Sequence, residues 1–160
     1  MTRWLTYTNS FFTKDTRIKC QHEDLILLHR GMLSRNTSFC INNQDYWIKE
    51  EGIFSKNSYV YDSYGDPIAH IRFSALNRAA QVTYRENKFF WKLDSPIGSK
   101  WILHNNYRKI ECVESFSKGS IYTDLDDDIL ISLGVYMGRQ YYDMSNIFLM
   151  IIVIFLFLLQ

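Results

Sequence analysis

Through residue 123 the chain alternates short runs of apolar and aromatic residues with turn residues, and beyond it apolar residues dominate for whole helical turns. Runs rich in Val, Ile, Tyr, Phe, Trp and Thr predict strands over 16–21, 24–30, 38–41, 45–49, 58–62, 67–73, 79–84, 88–93, 100–103, 107–112 and 116–122. With a short Ile53-Phe54 segment these make about twelve. Asn42-Asn43 reads as a tight turn, and Gly65 can supply the positive φ of the hairpin loop between Asp62 and Pro67. Strict alternation in Gln81-Val82-Thr83-Tyr84 fits a sheet with one dry face. The rhythm of strand, turn and strand predicts an antiparallel meander.

Two helices are predicted after the strands. Thr123 and Asp124 are favourable N-cap residues, and Asp126, Asp127 and Asp128 place negative charge where a helix dipole favours it. The segment 129–142 has almost no polar face before Arg139, so this first helix, about 125–142, belongs in an interior. Gly134 and Gly138 share one face of it and would let bulky strand side chains approach. A second, uncharged helix over 144–159 follows Asp143.

A closed sheet of about twelve strands is too wide to be filled by its own side chains, and a helix about 10–12 Å across suits the space. The expected fold is α+β and mainly β: an antiparallel barrel of about twelve strands enclosing a hydrophobic helix, with an apolar tail helix after it. Residues 1–143 form the barrel domain on this reading, and 144–160 the tail.

The Asp124-Leu125-Asp126 lead-in to 129–142 resembles the Asp-rich lead-in and central helix of phospholipid scramblases. Tyr59-Val60-Tyr61-Asp62 with Gly65-Asp66-Pro67-Ile68-Ala69 is similar to a strand and turn pattern of plant LURP-one-related proteins. Together they resemble the tubby-like barrel superfamily over roughly residues 12–143. The resemblance implies a barrel around a buried helix that acts at membranes or through partners, without enzymatic activity.

Composition narrows the chemistry. Eighteen Lys and Arg against seventeen Asp and Glu give a net charge of +1, and no global reason to expect nucleic acid. Cys20, Cys40 and Cys112 are odd in number and lie in predicted strands, as reduced intracellular thiols would. The N-terminus has no sustained apolar core of a secretory signal, so export by that route is not expected. His22, His29, His70 and His104 show no ligand spacing with the cysteines, and no phosphate loop or nucleophile elbow occurs, so no catalytic residue and no cofactor are expected. Asp124, Asp126 and Asp128 offer oxygens to Ca²⁺ but lack the spacing of a calcium loop.

Lys92, Lys100, Arg108, Lys109 and Lys118 are candidate contacts for anionic lipid, if they share a face. The tail, with Ile147, Phe148, Ile151, Phe155 and Leu159, would expose a large apolar surface in water, although its length of about 24 Å falls short of a hydrocarbon core of about 30 Å. The expectation is a lipid-binding (phosphoinositide or anionic phospholipid) or protein-interaction domain. Its partner would be membrane lipid or a membrane-bound protein, and it would be C-terminally anchored on the cytoplasmic face of a membrane. The alternatives are a membrane protein of scramblase type and a soluble cytoplasmic ligand-binding barrel with the tail buried.

Overall fold

The computed structural model describes residues 2–9, 15–20, 23–30, 36–51, 57–74, 78–94, 100–115 and 117–158. Twelve strands are followed by one helix. They are β1 (Arg3–Asn9), β2 (Thr16–Cys20), β3 (Glu23–Arg30), β4 (Asn36–Ile41), β5 (Gln44–Glu51) and β6 (Asn57–Tyr61), then β7 (Pro67–Ser74), β8 (Ala79–Tyr84), β9 (Asn87–Leu93), β10 (Lys100–His104), β11 (Lys109–Ser115) and β12 (Lys118–Thr123). The helix α1 covers Asp128–Leu158. Each strand pairs antiparallel with the next, and β1 pairs with β12 to close the barrel. The expected mainly-β barrel is thus present. The Ile53-Phe54 segment lies outside the described residues.

The closing strand β1 was not among the expected strands. Its side chains alternate, with Leu5 and Tyr7 buried and Trp4, Thr6 and Thr8 exposed, as a one-sided strand requires. Opposite it on β12, Ile121 faces Leu5 and Gly119 faces Tyr7. Gly119 is needed there because a Cβ at that position would overlap the Tyr7 ring. On the outer face Trp4 stacks on Tyr122 with ring centroids 5.3 Å apart.

Tight turns set the register. Asn42 and Asn43 both have positive φ, 51° and 62°, as the two-residue turn favoured by twisted hairpins demands. Arg85 and Glu86 take the same geometry, φ 46° and 65°, between β8 and β9. Gly65 has φ 89°, and the Asp62 carboxylate accepts hydrogen bonds from the N–H groups of Tyr64 and Asp66, pinning the β6–β7 loop.

The helix corrects the sequence reading twice. Its cap is Asp127, whose Oδ1 accepts from the N–H groups of Ile129 and Leu130 at 3.1 Å; the Thr123 hydroxyl accepts instead from the N–H of Leu125 in a local turn. Nor does α1 break at Asp143. It runs on as one helix of 31 residues, about 46 Å long, because the stretch from Tyr142 to Asn146 has no Gly or Pro and one Asp costs a helix only a fraction of a kcal/mol.

Residues 130–138 of α1 are buried without exception, so every side of the helix meets protein there. Trp101 on β10 packs on both helix glycines: a Cβ on Gly134 would lie 2.6 Å from its ring, and one on Gly138 would lie 2.9 Å from its Nε1. The glycine pair therefore serves helix-to-strand packing, as the sequence reading expected. Trp91 stacks on Tyr141 one turn further on.

Candidate functional site

Consecutive antiparallel strands give the barrel two distinct ends. At one, the capped end, even strands finish, odd strands begin and α1 starts. At the other, the tail end, the contacts of residues 136–141 are made with the last residues of odd strands and the first residues of even ones. Tyr136 shares a 3.0 Å hydrogen bond with Ser58, and Arg139 donates to the Thr16 hydroxyl. Tyr141 donates to the Ser74 carbonyl at 2.8 Å. Beyond Tyr142 the helix carries on past that end.

Two carboxylates reach α1 at the tail end. Glu50 accepts from the Tyr136 hydroxyl at 3.1 Å and from the Gln140 amide, which also donates to Tyr136 at 3.1 Å. Glu114 accepts from Trp101 Nε1 at 2.8 Å and lies beside Gly138. Burial first, and then the negative charge of Glu50, holds the Tyr136 phenol well above its ordinary range. Burial likewise raises Tyr7 and Cys112, with Glu114 adding to both. These groups are protonated at neutral pH, and the network is a clamp of neutral donors on two carboxylates. The sequence held a signal for it: Glu50 continues the buried series Tyr46, Ile48, and Glu114 continues Ile110, Cys112, both at period two.

The Asp cluster is employed structurally. Arg3 Nη1 bonds Asp126 at 2.6 Å and Asp128 at 2.9 Å, which ties β1 to the start of α1. Asp124 accepts from the N–H of Lys109 at 2.9 Å. Among the described residues no group of three or more His, Cys, Asp or Glu could hold a metal ion, so Asp124, Asp126 and Asp128 do not converge as a calcium site. Their oxygens point at a guanidinium and a backbone donor instead. The His29 ring meets Asp15 at 2.5 Å and His70 stacks on Tyr59, while His22 lies outside the described residues.

The five candidate cations do not share one face, because alternate strands run in opposite directions. Arg108 and Lys109 stand at the capped end; Lys100 and Lys118 begin β10 and β12 at the tail end. Lys92 joins Arg108 and Lys109 along a surface depression of about 400 Å³, together with Tyr107, Glu111 and Asp124. Lys109 is paired with Glu111 at 3.2 Å and Lys100 with Asp94 at 3.6 Å. Charge nearly cancels in the depression, which therefore builds no concentrated positive field.

The tail residues divide as well. Ile147, Phe148 and Ile151 are helical, Leu159 lies outside the described residues, and Phe155 is 64% exposed beside an exposed Ile154, Leu156 and Leu158. Among the described residues no helix is long and apolar enough to cross a membrane. No family model, curated protein or solved structure matches the chain.

Proposed function

We propose that this chain is a non-enzymatic, tubby-like barrel module that associates with a membrane through the distal end of α1. The buried half of α1 acts as an axial plug, and the distal half enters the near leaflet from the cytoplasmic side without crossing. The supporting observation is the continuity of one helix from a fully buried stretch, 130–138, into an end where Ile154, Phe155, Leu156 and Leu158 are all exposed. Soluble monomers rarely leave so contiguous an apolar surface in water. A rigid helix rooted among strands carries that surface as a fixed spike, and lipid is the solvent that suits it.

Lipid association recruits the domain, and the barrel wall is left for headgroups or a membrane-bound protein. The test is flotation of the full chain with phosphatidylcholine vesicles, beside a full-length variant carrying Phe155→Ser, Leu156→Ser and Leu158→Ser. Flotation of the native chain and loss of it in the variant, with the thermal midpoint unchanged, is the expected result. Equal flotation of both would refute the reading.

A further inference from the structure

The two ends of the barrel differ in charge, although the net charge of the chain is only +1. At the tail end the exposed Arg17, Lys49, Arg72, Arg78, Lys92 and Lys118 and the half-buried Lys100 and Arg139 outnumber the acidic Asp15, Glu50, Glu51, Asp94 and Glu114. The capped end is the reverse. Asp45, Asp66, Glu86, Asp124 and Asp126 join the half-buried Asp62, Asp127 and Asp128 there, against Arg3, Arg85, Lys88, Arg108 and Lys109. The exposed apolar end of α1 leaves from the basic end.

We infer that the rim around the emerging α1 is a docking face for an anionic lipid bilayer, with Arg17, Arg72 and Lys118 among the acidic headgroups and the carboxylate-rich end turned away. This rests on the reading that the distal helix enters lipid. Distance decides which charges take part. Residues 128–141 of α1 separate the ends by about 21 Å, while charges are screened over about 8 Å at physiological ionic strength. Cations on the rim feel an acidic surface and those at the capped end do not. The opposite orientation would press a cluster of aspartates toward negative headgroups. Arg108 and Lys109 consequently lie outside the lipid contact, and Lys118 lies within it.

The experiment is co-sedimentation of the full chain with vesicles of phosphatidylcholine alone and of phosphatidylcholine with phosphatidylserine, at low and raised salt. Each cation near an acidic surface contributes a gain of about five-fold, so losing three removes a factor of about 100. The variant R17Q/R72Q/K118Q is expected to lose most of the gain that phosphatidylserine brings, and the charge-matched K88Q/R108Q/K109Q to keep it. The two sets carry the same charge change on exposed side chains, so equal thermal midpoints certify the comparison. Equal losses in the two variants, or a native chain that gains nothing from phosphatidylserine, would overturn the inference. A chain that binds neutral vesicles through Phe155, Leu156 and Leu158 with no such gain overturns the inference alone. A phosphatidylserine gain that survives their replacement by Ser, while R17Q/R72Q/K118Q still abolishes it, overturns the lipid-entry reading and leaves the basic rim standing.

Discussion

The two ends of α1 are both apolar and lie in opposite surroundings. Residues 130–138 are buried on all sides, whereas Ile154, Phe155, Leu156 and Leu158 are exposed. Hydrophobicity alone does not distinguish them. What does is the detail of the buried end: a capping carboxylate, two glycines that admit a Trp, and polar atoms at Tyr136 and Gln140 that meet partners on the strands. At the far end Ile154, Phe155, Leu156 and Leu158 carry the same composition and stand exposed, as side chains facing a fluid solvent can.

Substitutions should separate the ends by size of effect. Trp101→Ala removes the side chain that packs on both glycines and leaves Glu114 without its indole donor; a loss of about 3–5 kcal/mol in denaturant unfolding is expected. Gly138→Ala adds a methyl group against Trp101 and Glu114, and overpacking of this kind costs about 1–3 kcal/mol, read as a lower melting midpoint. Glu50→Ala removes the acceptor that the Tyr136 hydroxyl and the Gln140 amide share, leaving them Ser58 and each other, at about 1–3 kcal/mol, with faster amide exchange around 136–141 as its local signature. Asp127→Ala removes the cap and costs about 1 kcal/mol. At the bottom of the scale, Phe155→Ser should change unfolding by less than about 0.5 kcal/mol while weakening vesicle binding. A large stability loss from that last change would show that the ends are not separate in role.

Much of the barrel was legible because its strands announce themselves. Alternation such as Gln81-Val82-Thr83-Tyr84 and the turn residues Asn42-Asn43 mark boundaries by local chemistry, and these are where the structure agrees best. The closing strand was not read as one, although Leu5 and Tyr7 alternate with Trp4, Thr6 and Thr8; an exposed Trp blurs that pattern, and the partner that makes sense of it, β12, is more than a hundred residues away. The helix break at Asp143 was expected because a lone charge between apolar runs looks like a boundary, yet no Gly or Pro enforces one.

The candidate site was less legible for a geometric reason. Lys100 and Arg108 are close in sequence but mark opposite ends of one hairpin, so a list of cations reveals no face until strand direction is known. The tie that the Asp cluster makes to the barrel was not legible because its partner Arg3 lies on the unread strand.

Pairing of the first strand with the twelfth also sets an order of events. During synthesis β1 and β2 are available early, but the edge of β1 has no mate until β12 has been made, so the growing sheet carries two unpaired margins for most of its assembly. Closure should be the slow step of folding, governed by sequence-distant contacts, and the nascent chain is most prone to aggregate just before it.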